Sequence, residues 1–96
     1  MAKLVDLPAG RQARSMYYLY ILKSLKENYY YKEITDNLER RLSQHFMGKS
    51  PSTRTKLPLI LLYVEICQSR AEARTIEKYF KSGLGREIIK ELDNLS

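Results

Sequence analysis

The sequence predicts an α/β (α+β) fold, a small three-stranded antiparallel sheet flanked by helices in the order β-β-α-β-α-α. Two aromatic-rich runs, "MYYLYIL" and "YYYKEI", stand on either side of a short polar segment, as the arms of a hairpin do. A third run, "LILLYVEI", is apolar at nearly every position. Between and after these runs, apolar residues return every three or four positions behind helix-capping signals, so strands give way to helices over short connections.

Residues 1–15 hold Pro8, Gly10 and three basic residues without a sustained period. They read as a loose N-terminal tail, with Met16 a candidate start and 16–96 a single domain. The first strand is expected over 16–22, a polar turn over 24–28 and the returning strand over 29–34. Asp36 followed by Glu39 resembles a cap, and Leu38, Leu42 and Phe46 recur every four residues. A helix from about 36 to 47 follows, ended by Gly48. Residues 49–58, with two prolines, form a loop. The run 59–66 is expected to be a central strand covered on both faces. Ser69 with Glu72 forms a capping box for a helix packing through Ala73, Ile76 and Phe80. "SGLG", 82–85, breaks that helix, and a last one carries Ile88, Ile89, Leu92 and Leu95.

With 44% apolar and 29% charged residues, the composition argues against wholesale disorder. A net charge of +6 favours polyanions, so nucleic acid or an anionic membrane surface leads the partner classes. Cys67 is the only cysteine, which excludes an intrachain disulfide and a four-cysteine zinc site and suits a reducing cytoplasm. The longest apolar run, Leu59 to Val64, falls far short of the roughly 20 residues a membrane helix requires, so no membrane association is expected. The first ten residues have no apolar core of signal-peptide length.

A hairpin closing around 23–28 pairs, in its simplest register, residues whose numbers sum to 51. Tyr20 then faces Tyr31 and Tyr18 faces Glu33. Opposed residues share a face, so Tyr18, Tyr20, Tyr31 and Glu33 form one patch. On the next helix Asn37, Arg41 and His45 lie along one stripe beside the apolar row, where they can reach the tyrosines. Taken singly, each has an ordinary reading. Aromatics pack across hairpins, a lone helical histidine sits satisfied, Arg40-Arg41 forms a solvated face, and Glu77 pairs with Lys81 one turn on.

Together the spacing is more specific. Tyr20 and Tyr31 are eleven apart, Arg41 follows ten later, His45 lies one helical turn beyond, and Glu77 appears in "EARTIEKYFK". With "YYLYILKSLK", "TDNLERRLSQH", "GKSPSTRTKLPLILLYVE" and "EARTIEKYFKSGLGRE", the chain resembles the GIY-YIG nuclease family over about 16–93, specifically its small stand-alone members. The resemblance implies an endonuclease hydrolysing phosphodiester bonds in DNA with one divalent ion, Mg2+ or Mn2+, in settings such as DNA repair. It implies that Glu77 holds the metal, that Tyr20 helps to activate the attacking water, and that Tyr31 bonds the same water or phosphate. Arg41 would stabilise charge on the scissile phosphate and His45 would donate near the reacting oxygens. A phenol with a pKa near ~10 is a poor base at neutral pH unless a metal or cation lowers it, which makes the ion a required part of that scheme.

Two positions depart from the family pattern. Tyr18 stands where the family name has its first glycine, and Lys32-Glu33 replaces the usual Ile-Gly. A carboxylate near the substrate is costly: at ~4 Å and an effective dielectric of ~20, like charges repel by about 4 kcal/mol before screening. Three outcomes stand open for Glu33: repulsion of phosphate or altered metal recruitment, a hydrogen bond from the facing Tyr18 that holds it aside, or an outward turn at a bulge.

Basic residues gather in the segments around the expected site: Arg40, Arg41, Lys49, Arg54, Lys56, Lys81 and Arg86. The loop 49–56 adds Ser50, Ser52 and Thr53, whose hydroxyls suit backbone phosphates. With no helix-turn-helix or zinc finger, binding is expected to be weak, salt-sensitive and guided by DNA structure rather than sequence. The alternatives are a catalytically degenerate GIY-YIG domain acting as a nucleic-acid-binding module, and a basic protein-interaction domain.

Overall fold

The structure, a computed structural model, describes residues 16–95, and the expected tail over 1–15 lies outside the described residues. The elements are β1 (Tyr17–Ser24), β2 (Tyr30–Thr35), α1 (Leu38–Phe46), β3 (Leu59–Cys67), α2 (Arg70–Phe80) and α3 (Gly83–Asn94), with a 3-10 turn at Arg54–Lys56. The strands form one antiparallel sheet in the order β2-β1-β3. The predicted class and element order are therefore observed.

The centre of the sheet is β1, not β3. Leu19 to Leu22 are fully buried, whereas β3 is an edge strand with Ile60 and Ile66 exposed. Its continuous apolar run has a different cause. The β1–β3 register shifts between Ile21 and Leu22, where Ile21 pairs with Tyr63 and Leu22 with Leu61. The extra residue, Leu62, breaks strict alternation and packs on the same side as Tyr63. An apolar run thus reflects a bulge rather than burial on two faces.

Two half-cores lie on the two faces of β1. Tyr18, Tyr20 and Leu22 pack with Leu38 and Leu42 of α1. Leu19 and Ile21 pack with Phe80 of α2 and Ile89 of α3. The hairpin register is two residues from the expected one: Tyr18 opposes Thr35, Tyr20 opposes Glu33 and Leu22 opposes Tyr31. Ser24 is the reason. It belongs to β1, its amide donates to the Tyr29 carbonyl, and its hydroxyl accepts from the amides of Lys26 and Glu27, closing a tighter turn. A shift of two keeps every side chain on its face, so the expected four-residue patch survives while its partners change.

Helix α1 starts at Leu38, and Asn37 rather than Asp36 caps it, accepting from the Arg40 amide at 3.1 Å. Gly48, at φ +74°, ends it as expected, in the left-handed conformation that glycine adopts without strain. Phe46 is exposed rather than in the apolar row, and the buried place in that turn goes to His45. Ser69 caps α2 through the Glu72 amide, as its capping box predicts. "SGLG" interrupts the helices less than expected. Ser82 caps α3, and Gly83 and Gly85 lie inside it. Gly85 is there for space, since a Cβ would stand 2.0 Å from the Tyr79 carbonyl oxygen.

Candidate active site

On the α1 face of the hairpin, β1 supplies Tyr20, β2 supplies Tyr31 and Glu33, and α1 supplies Arg41 and His45. All five join one hydrogen-bonded network. Tyr20 donates its phenol proton to Oε1 of Glu33. Arg41 grips the same carboxylate with two nitrogens, Nε to Oε1 at 2.9 Å and a terminal nitrogen to Oε2 at 3.4 Å. Tyr31 donates to Oε2 at 3.1 Å and accepts from the Ser52 hydroxyl at 3.2 Å. Two phenols and a guanidinium therefore converge on a single anion, and that anion is the chain's own side chain. Arg41 also reaches Gln44 at 3.0 Å.

Below this cluster lies a buried relay. His45, fully buried, sits 2.8 Å from the Tyr20 oxygen through Nε2 and 2.7 Å from the Thr53 hydroxyl through Nδ1. A carboxylate only accepts, so the Tyr20 hydroxyl keeps its proton and donates it in a hydrogen bond to Glu33. The Tyr20 oxygen must then accept from His45 Nε2–H, and Nδ1 accepts from Thr53. The donors run in one direction, Thr53 to His45 to Tyr20 to Glu33. The imidazole also stands edge-on to both tyrosine rings, at centroid distances of 5.6 and 5.2 Å.

The electrostatics follow from this wiring. Burial raises the Tyr20 pKa, and its hydrogen bond and proximity to Glu33 raise it further, so the phenol stays protonated at neutral pH. Burial, with the Glu33 charge, also raises Tyr31. Burial pushes the Glu33 carboxyl up, but hydrogen bonds from Arg41, Tyr20 and Tyr31 outweigh it and hold the group below its usual value. Glu33 is therefore an anion at neutral pH. Burial, helped by the Arg41 charge, lowers the His45 pKa and keeps the ring neutral.

Of the outcomes open for Glu33, it turns inward, and Tyr20 rather than Tyr18 holds it. Tyr18 faces Thr35 and lies in the core. Glu77 is outside this network. It projects from α2, the helix packed on the Leu19–Ile21 face, and among the described residues its one ionic partner is Lys81 at 3.3 Å. Of the remaining basic residues, Arg40 and Lys49 line one open surface groove with Ser43 and Gln44. Lys56 pairs with Glu27 at 2.8 Å and lies over the Tyr29 ring, next to the exposed Arg54. Lys81 and Arg86 stand near Lys32, on the other side of β2 from Arg41.

Thr53 and Ser52 carry roles that sequence reasoning missed. Ser50 and Thr53 are buried rather than offered to solvent as phosphate donors. No period links Thr53 to His45. The one available signal was Gly48, whose left-handed turn sends the following loop back along α1.

Among the described residues, no three His, Cys, Asp or Glu side chains form a metal cage, and no helix is long and apolar enough to cross a membrane. The donor set fits a strongly hydrated divalent ion, which needs one or two carboxylates and takes its remaining ligands from water and substrate phosphate. Both oxygens of Glu33 already accept two hydrogen bonds each, which leaves that carboxylate no free place for such an ion, whereas Glu77 carries a single ion pair among the described residues.

Known proteins resemble the chain over most of its length. The profile of the GIY-YIG catalytic domain matches residues 16–90. The UPF0213 protein SH2523 of Staphylococcus haemolyticus is 33% identical over 78 residues, covering 80% of this chain and 94% of that one. A UPF0213 protein of Bacillus licheniformis is 39% identical over 66 residues, 68% of this chain and 67% of its own length. A third, from Streptococcus pyogenes, is 38% identical over 65 residues, 67% of this chain and 70% of its own. No solved structure matches.

Proposed function

The chain belongs to the GIY-YIG family, a nuclease-type family whose members generally use divalent metal ions, and from that premise we propose that it is an endonuclease hydrolysing phosphodiester bonds in DNA. The observation that carries the reading is the convergence of Tyr20, Tyr31 and Arg41 on one anion. Donors preset around a single negative charge are what a scissile phosphate needs as charge builds on it, and preset donors do not reorganise during the reaction. A planar guanidinium that already binds a carboxylate with two nitrogens can bind two phosphate oxygens the same way.

For a phosphate to take that place, Glu33 must leave it. Its side chain is 28% exposed on an edge strand, so it can turn out to water without disturbing the core. Arg41 and Tyr31 then hold the phosphate. Tyr20, no longer donating to the carboxylate, is free to orient the attacking water, with His45 and Thr53 fixing its oxygen from below. Glu77 would hold one Mg2+ or Mn2+ ion, which polarises phosphate oxygens and lowers the pKa of bound water. With no groove-reading element among the described residues, DNA would be recognised by backbone and shape rather than sequence. Arg40 and Lys49 in their groove, Arg54 and Lys56 near the hairpin turn, and Lys81 and Arg86 beyond β2 would touch its phosphates.

A second reading, a nucleic-acid-binding module without catalysis, is favoured by one observation: Glu33 already occupies the donors. A cleavage panel of duplex, branched and single-stranded DNA under magnesium and manganese separates the two. The nuclease reading expects nicking that Glu77→Ala and Arg41→Ala abolish and that Glu33→Gly accelerates. If neither wild type nor Glu33→Gly cuts any substrate while DNA binding survives Glu77→Ala, the nuclease reading falls and the module stands.

A further inference from the structure

Lys32 points to the face of β2 opposite Glu33, and there it meets only its own sign. It lines a cavity of about 200 Å³ together with Asn28 and Tyr30 of the hairpin and Arg86, Ile89 and Lys90 of α3. The lining carries three cations and no acid. Among the described residues neither Lys32 nor Arg86 has an ion pair, and the nearby acids are engaged elsewhere: Asp93 with Lys23 and Tyr30, Glu87 with Lys90, Glu77 with Lys81. Burial first, then the charges of Arg86 and Lys81, push the Lys32 ammonium below its usual pKa. A half-buried lysine at a cavity whose other cations repel it is destabilising for the protein alone. The same arrangement becomes favourable once an anion enters, because two unpaired cations and the Asn28 amide can donate to it.

We propose that this cavity binds a phosphate of the nucleic-acid backbone, with Lys32 and Arg86 as its principal ligands and Lys90 at its rim. Position argues for a backbone phosphate over an isolated small anion. Lys32 and Glu33 are consecutive on an edge strand, so their side chains leave opposite faces of the same exposed edge. A strand of nucleic acid laid along β2 meets the Tyr31–Arg41 cluster on one side and the Lys32–Arg86 cavity on the other. The pair of residues that departs from the family pattern would then act together, Glu33 beside one phosphate and Lys32 under another. This inference rests on the chain's engaging nucleic acid and is independent of cleavage.

The test is binding of a fluorescein-labelled 20-base-pair duplex by anisotropy between 50 and 200 mM KCl, without divalent metal, so that cutting plays no part. Each lost phosphate contact should lower the slope of log affinity against log salt by about 0.9. Lys32→Gln and Arg86→Gln should each show part of that loss and the double variant the whole of it, equally for unrelated sequences, and Lys32→Arg should restore the wild-type slope. Because Lys32→Gln removes a repulsion, its thermal midpoint should equal or exceed that of the wild type, so weaker binding is not a folding defect. Arg70→Gln, at the far end of α2, serves as the control. An unchanged slope in both cavity variants, an equal fall with Arg70→Gln, or absence of duplex binding by the wild type would each overturn the proposal. Binding without cleavage by the wild type, with the slopes as expected, would support it even as the nuclease reading failed.

Discussion

The two faces of the central strand β1 are built on different principles. Toward α2 and α3, Leu19 and Ile21 meet Phe80 and Ile89 in a wholly apolar core. Toward α1, the buried set mixes Tyr20, His45 and Thr53 with leucines, and every buried side-chain polar atom among the described residues has a partner. An apolar face gains stability from area and tolerates no loss of volume. A polar face gains little net stability from each bond, yet a missing partner is expensive. The first is suited to holding a shape and the second to changing partners, which is what substrate binding at Glu33 would require.

Truncating the apolar face should produce the largest effect. Ile21→Ala removes fully buried volume from the central strand and should cost about 2–5 kcal/mol. At about 4–8 °C per kcal/mol for a domain of this size, the thermal midpoint should fall by roughly 10 °C or more. Below that midpoint, DNA cleavage should be unchanged. A large loss of activity in the folded variant would show that the two faces are not separable.

Gly85→Ala comes next. Its Cβ would meet backbone atoms of Tyr79 and Phe80, so α3 must move away from the end of α2. Overpacking of this kind costs about 1–3 kcal/mol, and a backbone obstacle places it at the upper end. Chemical denaturation gives the value, and an undisturbed midpoint would contradict the close approach.

Thr53→Val asks the same question of the polar face. The isostere keeps the volume and leaves His45 Nδ1 without its donor, a loss of about 1–2 kcal/mol. Nitrogen NMR of the imidazole should report the Nε2–H tautomer in the wild type. In the variant, weaker cleavage should accompany the smaller loss of stability.

The polar face should also carry a pH dependence in two stages. An imidazole whose folded pKa lies below its ordinary 6.5 leaves stability intact above that pH. As pH drops below it, the unfolded chain takes up the proton first and stability declines. A carboxyl held below 4.5, as Glu33 is, adds stability above that value and loses it as the pH falls through the folded pKa. Thermal midpoints should therefore fall in two stages on acidification. His45→Gln should remove the first stage. Glu33→Gln should shrink the second without abolishing it, since Lys23 and Tyr30 hold Asp93 low as well.

The smallest effect belongs to a residue on neither face. Phe46→Ser, at an exposed site, should change stability by no more than about 0.5 kcal/mol in a thermal scan.

Much of this was legible in local pattern. Ser69 with Glu72 announced the start of α2, Gly48 the end of α1, and alternation placed Tyr18, Tyr20, Tyr31 and Glu33 on one face. Each depends on residues a few positions apart, where geometry is set by the backbone itself. The errors were of another kind. Phe46 and His45 lie on adjacent flanks of one helix, and only the loop carrying Thr53 decides which is covered. Likewise β3 has a central strand's composition, and its edge position depends on the pairing order and on a bulge that no local period reveals.

By itself the sequence determined the element order, the Ser69 cap, the shared face of the two tyrosines and the family, because these reside in side-chain spacing and identity. Only the tertiary structure decided that Glu33, not a void, lies between the phenols and Arg41, that Thr53 orients His45, that Glu77 pairs with Lys81 outside this network, and that Lys32 shares a cavity with Arg86. The physical reason is the register of a hairpin. A slip of two residues leaves every hydrophobic contact type intact and costs the pattern nothing, yet it selects which hydroxyl meets which charge.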